Sequence, residues 1–261
     1  YYLVMIEKIH NLTLSTRLPE ALELTLSMTK KCTARCNTRV RAWFERYLSV
    51  IYFYQGDYLK CLHYYEKSLS FSEEEQDWLS RHCVGAYAAK AYQVTGQDEK
   101  AVPLMETELS RLYRLGLYEE LSLNYLMYAE ILLAEEMRKR SRGLLVDFSS
   151  FYRYLELAEE HAVLNCNAKD YMLFVKVLRM GAELLTRPEK ALHRIEDILE
   201  LTGHAFPFFR ALAYGRVANA LYMLGQDMEQ SKTYYSRCIE FGEAAGTFNA
   251  SMIACGELAA L

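Results

Sequence analysis

A pattern of aromatic, glycine and small residues recurs along this chain of 261 residues, and it constrains the fold more than any other feature. In each copy an aromatic residue precedes a glycine-containing turn, and a second apolar segment follows; Gly56, Gly96 and Gly225 mark the clearest copies. A Leu or Ile near the end of the second apolar segment of each copy gives the period. These residues are Leu69, Leu109, Leu155, Leu199 and Ile239, which lie 40, 46, 44 and 40 positions apart. A period of this length indicates a repeat protein whose units pack on their neighbours.

The segments between the turns are predicted to be α-helices. The chain contains only four prolines and twelve glycines, and apolar residues recur every three or four positions almost throughout. Each unit is therefore a helix, a turn and a second helix. Small residues such as Ser49, Ala89 and Ala129 let the two helices approach closely, and larger residues such as Tyr65 fill the space between units. We predict an all-α fold, a right-handed superhelical solenoid of about six units with a concave inner groove.

The repeat gives the predicted domain organisation. We expect a single solenoid domain over residues 1–261, because one repeat unit cannot bury its apolar face alone. The predicted units are a degenerate unit at 1–40, units at 41–80, 81–120, 121–166, 167–205 and 206–246, and a partial unit at 247–261. Both ends of the sequence lie in apolar segments, so we also expect that it is a fragment of a longer polypeptide.

The order of residues around the three glycines resembles that of tetratricopeptide repeats, which are helical pairs of about 34 residues. The units here are longer, and several second helices continue into a Leu-rich segment that ends in Gly, as at 109–116. These longer units resemble the repeat region of MalT-like regulators, which are large LuxR-type bacterial transcription activators. The resemblance implies a non-catalytic array that senses an effector or holds a partner, between an ATPase module and a helix-turn-helix module.

The resemblance also implies which residues line the inner groove. In tetratricopeptide-like arrays these are the second, fifth, ninth and twelfth positions of the first helix of each unit. Carried onto this sequence, with two tyrosines just beside the stripe, they give Trp43, Arg46, Tyr47, Val50, Phe53, Cys83, Ala86, Tyr87, Lys90, Gln93 and Arg216. Aromatic and cationic side chains together suit a peptide or a sugar, because rings stack on apolar faces and cations bind carboxylates. The alternative is that these residues only pack against one another.

A basic segment interrupts the acidic character of the chain. It contains Arg138, Lys139, Arg140 and Arg142, and it falls where the repeat spacing lengthens to 46 residues. We predict an inserted loop, and one interpretation is a secondary interaction site that contacts nucleic acid or an acidic partner domain. A solvated loop without a partner is the alternative.

Charge and cysteine content exclude several classes of protein. The formal net charge is −4, which argues against direct nucleic-acid binding by this segment. No stretch is long and apolar enough to span a membrane. Seven scattered cysteines do not form a disulfide framework, so we predict a cytoplasmic protein.

Catalytic and metal-binding constellations are weak. Cys32 and Cys36 lie four positions apart and His161 lies five before Cys166, but neither pair has a second pair to complete a zinc site. The sequence has no Gly-Lys phosphate-binding motif and no nucleophile elbow. We therefore predict no enzymatic activity, no metal and no cofactor.

Three functions stay open at this point. The first is a ligand-sensing or partner-binding domain of a MalT-like regulator, with a protein, a peptide or a small-molecule effector in the groove. The second is a tetratricopeptide scaffold that captures an extended peptide, and the third is a bacterial peptide-pheromone receptor. We also predict that ligand binding is coupled to self-association into a homo-oligomer, because the ends of a solenoid expose apolar faces.

Overall fold

The computed structural model describes residues 1–32, 37–75, 84–164, 168–247 and 254–256. Within these ranges every regular element is helical, which confirms the all-α prediction. The helices, numbered in chain order, are α1 (Tyr2–Leu14), α2 (Leu18–Lys31), α3 (Thr38–Tyr54), α4 (Tyr58–Glu75), α5 (Gly85–Val94), α6 (Asp98–Leu115), α7 (Tyr118–Ser141), α8 (Ser149–Ala162), α9 (Ala168–Thr186), α10 (Pro188–His193), α11 (Ile195–Thr202), α12 (Pro207–Met223) and α13 (Met228–Ala245).

The helices form two compact bodies, which are described one at a time. The N-terminal body is Tyr1–Leu115 and contains α1 to α6; the C-terminal body is Gly116–Leu261 and contains α7 to α13. The most extensive packing is between consecutive helices, as in the pairs α3–α4, α7–α8 and α12–α13. The chain is thus a series of helical hairpins, as the repeat predicts.

The glycine of each clear repeat ends the first helix of its hairpin. Gly56, Gly96 and Gly225 have φ values of 79°, 79° and 60°, in the left-handed region that residues with a Cβ rarely adopt. The turn at Gly56 closes with two backbone hydrogen bonds, from Gly56 N–H to Phe53 O and from Asp57 N–H to Tyr52 O. The turns at Gly96 and Gly225 have the same two bonds. This geometry satisfies the last carbonyls of the helix and reverses the chain within a few residues.

Buried serines hold the two helices of a hairpin together. Ser49 Oγ donates to Cys61 O, Ser122 Oγ to Ala158 O, and Ser231 Oγ to Ala218 O, each at 2.9 Å. All three serines are fully buried, and so are Ala89 and Ala129. Small side chains at these positions bring the helix axes close, as the sequence predicts, and the hydroxyl group adds a bond that alanine lacks.

Each body has its own apolar core. In the N-terminal body Phe44, Tyr47 and Ile51 of α3 pack against apolar residues of α1 and α2. In the C-terminal body Tyr214 of α12 packs against Tyr235 of α13. The first hairpin therefore packs on the face of α3 that carries Tyr47, and the predicted groove residue Trp43 packs partly against the same core.

The unit with the weakest repeat pattern departs from the simple hairpin. Its second helix is divided into α10 and α11, which meet at Arg194. Pro188 stands in the first turn of α10, where a proline is tolerated, and Arg194 reaches back to Glu183 of α9 with two hydrogen bonds. This side-chain pair connects the junction of α10 and α11 to α9.

Tyr65 tests the packing between helices. It is 6% exposed in α4, so we expect Tyr65→Ala to lower the free energy of unfolding by about 3 kcal/mol or more, through lost burial and a cavity. Tyr113→Ala is the control, because Tyr113 is 45% exposed and should lose less than about 1 kcal/mol. Urea titration, monitored by circular dichroism, measures the free energy of unfolding of both variants. Equal midpoints for the two variants would contradict this assignment of the core.

Candidate functional site

The predicted groove residues of α3 share one face of that helix. The helix begins at Thr38, where the side chain of Asn37 accepts a hydrogen bond from Arg39 N–H, and its later turns bring Trp43, Arg46, Val50 and Phe53 into one stripe. Most of this stripe is buried, since Arg46 is 7% and Val50 5% exposed. Trp43 and Phe53 are half-buried. The stripe is therefore a packed layer with partly exposed aromatic ends.

Arg46 is the unusual member of the stripe. Its guanidinium carbon lies 4.2 Å from the centroid of the Trp43 ring and 5.3 Å from that of Tyr47. Its Nε and Nη1 atoms are buried and have no hydrogen-bond partner among the residues that the structure describes. The rings contribute about 0.5–2 kcal/mol of cation–π attraction. Each buried donor without a partner costs about 1–3 kcal/mol, so the charge is under-compensated.

The neighbouring residue shows how an ordinary buried charge is treated in this body. Glu45 is 3% exposed, and its Oε1 atom forms a salt bridge of 2.7 Å with Lys67 Nζ of α4, while its Oε2 atom is buried without a hydrogen-bond partner among the described residues. Consecutive residues on a helix point about 100° apart, so Glu45 faces its hairpin partner and Arg46 faces elsewhere. Among the residues that the structure describes, no carboxylate forms a salt bridge with Arg46, as Lys67 does with Glu45. A carboxylate supplied by a ligand would satisfy its donors.

Aromatic rings join the end of α3 to α5. The ring of Tyr87 lies 5.2 Å from that of Phe53 and 5.6 Å from that of Tyr54, both in edge-to-face geometry. The Tyr54 and Tyr87 hydroxyl oxygens are 3.2 Å apart and share a hydrogen bond. Burial raises the pKa of Tyr54 above its usual range. The structure thus brings together Phe53 and Tyr87 and adds Tyr54, which the sequence prediction left out although it also precedes the Gly56 turn.

Lys90 and Gln93 form a buried pair on α5. Lys90 Nζ donates to Gln93 Oε1 at 2.7 Å, and the two residues are 9% and 3% exposed. A one-turn spacing places them side by side, and the amide oxygen gives the ammonium group a neutral partner. Ala86 is also buried on this helix, whereas Cys83 lies outside the described residues.

Arg216 belongs to the C-terminal body. It is half-buried on α12. Its role in a groove remains a prediction.

The basic segment was predicted to be a loop, and this was wrong for most of its length. Arg138, Lys139 and Arg140 lie in the last turns of α7, which continues to Ser141, and only Arg142 follows the helix. Lys139 Nζ pairs with Glu135 at 3.1 Å and with Glu136 at 2.6 Å. Such pairs one turn apart, and cations at the carboxyl end of a helix, stabilise the helical state. Arg140 donates to the backbone oxygen of Leu185, so this cation serves packing within the C-terminal body.

Cysteine and acidic side chains do not form a metal site in the described ranges. No three His, Cys, Asp or Glu side chains lie together there in a way that could hold an ion. Cys36 and Cys166, which the sequence analysis weighed as ligands, lie outside those ranges. Burial raises the pKa of Cys61 to about 12 and that of Cys238 to about 11, which makes both thiols poor nucleophiles.

No helix among the described residues combines the length and the apolar character that a membrane crossing requires.

Two cavities lie elsewhere on the molecule. One of about 680 Å³ runs along α1 of the N-terminal body and is lined by Leu3, Val4, Glu7, Lys8, Asn11, Leu12, Ser15 and Arg17. The other, which we call the arginine cavity, has about 300 Å³ in the C-terminal body and is lined by Tyr152, Glu156, Arg179, Glu183, Thr186, Arg187 and Arg194. Neither contains a predicted groove residue. The repeat pattern gives no signal for the arginine cavity, because its residues come from the least regular units.

The fold has a known counterpart. Over 98% of its length the chain is similar to NprR, in a crystal structure with its cognate peptide NprX, with a TM-score of 0.74 and 10% sequence identity. The match covers 71% of that NprR chain. No protein-family model matches the sequence, and no curated protein matches it. Together with the helical hairpins, the likeness shows a tetratricopeptide-like helical-repeat fold.

Arg46, which is buried, and Lys67, which is partly exposed beside the buried Glu45, are expected to respond oppositely to removal. Arg46→Met deletes an under-compensated charge and keeps apolar bulk, so the free energy of unfolding should stay unchanged or rise by up to about 1 kcal/mol. Lys67→Met leaves the buried Glu45 carboxylate without its cation and should lower the free energy of unfolding by roughly 1–3 kcal/mol. Chemical unfolding of both variants measures the difference. A large loss of stability in Arg46→Met would show that Arg46 is a structural residue.

Thiol burial predicts which cysteines react. At pH 8 we expect iodoacetamide to modify Cys255, which is exposed, and to leave Cys61 and Cys238 unmodified, since their raised pKa values keep them protonated. Peptide mapping by mass spectrometry after timed reaction measures the order. The same reaction in urea is the control, where all three should be modified. Equal rates for Cys61 and Cys255 in the folded protein would contradict the burial.

Proposed function

We propose that this chain is a non-catalytic peptide-receptor domain in which Arg46 binds a carboxylate of the peptide. The observation that carries the proposal is the Arg46 side chain, which is 7% exposed and has two buried donors without a partner. A buried charge of this kind is costly in the unliganded protein, and a carboxylate that docks on it recovers that cost on binding. The residue is therefore suited to ligand recognition more than to stability.

The residues beside Arg46 suit an extended peptide. Trp43 is half-buried and stacks on the guanidinium, so its outer part is the accessible edge of the site. Along the same face, an apolar strip of buried Val50 and half-buried Phe53 leads toward Tyr87, and Phe53 is its accessible part. Aromatic and aliphatic groups contact peptide side chains, while the cation fixes the direction of the chain. NprR, the structural counterpart, is seen with a cognate peptide, which supports a peptide as the ligand class.

The finer parts of the sequence interpretation belong to the same proposal. The period of 40 or more residues supports a repeat region like that of LuxR-type, MalT-like bacterial regulators, with the peptide as effector. In that setting the domain works in the cytoplasm, and ligand binding changes its self-association. A small-molecule effector would use the same cation and rings, but the length of the apolar strip favours a peptide over a small molecule.

The test compares peptides that differ only at the carboxylate. A random heptapeptide library with free C-termini, and the same library with amidated C-termini, are each incubated with the protein, and bound peptides are identified by affinity selection and mass spectrometry. We expect free-acid peptides to be enriched, and amidation or Arg46→Met to weaken an enriched peptide at least tenfold. Light scattering with and without that peptide reports the self-association.

Arg41→Met is the matched control for Arg46→Met. Arg41 lies on the same helix and loses the same charge, but its guanidinium stacks on Phe71 at 4.4 Å and not on the stripe. We expect this variant to bind the enriched peptide as the original protein does. If both libraries give no enrichment, or if the two variants lose affinity equally, the proposal is wrong.

A further inference from the structure

We infer that the arginine cavity of the C-terminal body binds a small ligand that carries a phosphate group. The cavity has about 300 Å³ and is lined by three arginines, two glutamates, a threonine and a tyrosine. A water molecule in the liquid occupies about 30 Å³, so the cavity has room for a phosphate with a small organic group attached. The site is separate from the peptide site of the N-terminal body and does not depend on that proposal.

The three guanidinium groups are satisfied to different degrees. Arg194 is held in a two-point pair, because its Nε and Nη2 atoms donate to both carboxylate oxygens of Glu183. Glu183 is only 6% exposed, so this pair forms a fixed wall of the cavity. The hydrogen bonds to Glu183 also raise the pKa of Arg194, which stays charged at any physiological pH.

Arg179 and Arg187 have donors available. Arg179 Nη2 donates to Glu159 Oε2 at 2.9 Å, but its Nε atom is buried and has no hydrogen-bond partner. Arg187 is exposed at the start of α10, and its guanidinium makes no ion pair with any residue that the structure describes. Two arginines with unused donors beside one cavity fit an oxyanion.

The number of arginine donors around the cavity favours phosphate over a carboxylate. One carboxylate is satisfied by one guanidinium fork, as Glu183 shows with Arg194, whereas a phosphate offers three or more oxygens to several arginines at once. Glu156 is the opposing charge on the lining, and it is exposed and without a cation partner among the described residues. Its carboxylate repels an anion, so its removal should strengthen binding. A gain in affinity on removal of the Glu156 charge therefore distinguishes a phosphate site from a site for a cationic or zwitterionic ligand. Glu156 would attract such a ligand, and its removal would weaken binding.

The experiment uses inorganic phosphate and glycerol 3-phosphate as probes, with thermal unfolding and isothermal titration calorimetry as measurements. We expect a saturable rise of the unfolding midpoint with both probes, beyond that of sodium chloride at equal ionic strength. Arg187→Gln should lower the affinity for glycerol 3-phosphate at least fivefold, and Glu156→Gln should raise it. Arg153→Gln is the matched control, because Arg153 is an exposed arginine of α8 outside the lining, and it should leave the affinity unchanged.

Several outcomes would overturn the inference. One is a shift of the unfolding midpoint that is the same for phosphate as for sodium chloride or for succinate. Another is an equal affinity of Arg187→Gln and Arg153→Gln for glycerol 3-phosphate. The last is a weaker affinity of Glu156→Gln for the same probe. Arg187 and Glu156 are both exposed, so these variants are expected to fold. Peptide binding is tested with variants of the N-terminal body and phosphate binding with variants of the C-terminal body. A negative result in one test therefore does not decide the other.

Discussion

The close approach of the two helices in each hairpin is the constraint on which the rest of the structure depends. Fully buried Ser49, Ser122 and Ser231 each donate from one helix to a backbone oxygen of its partner, and no larger side chain would leave that distance unchanged. The left-handed glycines complete the arrangement by reversing the chain without a long loop. Once the hairpins are fixed in this way, the large side chains on their outer faces have to pack against the next hairpin.

That packing explains the surroundings of the candidate site. Tyr47 belongs to the core that α3 forms with α1 and α2, and Tyr87 ties α5 to the end of α3. Arg46 occupies the same layer with two buried donors unpaired. Glu45 on the same helix differs, because Lys67 supplies an opposite charge to one of its oxygens, although its Oε2 atom has no partner among the described residues. A charge kept without such compensation is typical of a site whose partner arrives from outside.

Much of the fold could be predicted from the sequence, because local patterns determine it. The turns at Gly56, Gly96 and Gly225 and the small residues Ser49, Ala89 and Ala129 all lie where the repeat places them. The surroundings of the site residues were harder to predict. Helical periodicity shows that Arg46 and Phe53 share a face, but not how closely the neighbouring hairpin covers that face. The same limit applies to Arg138 and Lys139, since the pairing of Lys139 with glutamates one turn away favours a longer helix over the expected loop.

The self-contained turns have a consequence for how the chain folds and changes in evolution. A hairpin such as α12–α13 satisfies its own turn carbonyls and its own serine bridge with residues less than one repeat apart. Contacts so local in sequence lose little chain entropy when they form, so folding can start at more than one hairpin and spread to its neighbours. A whole hairpin could likewise be duplicated or deleted without leaving a broken turn in those that remain. The length of such a protein is therefore free to vary in steps of one repeat.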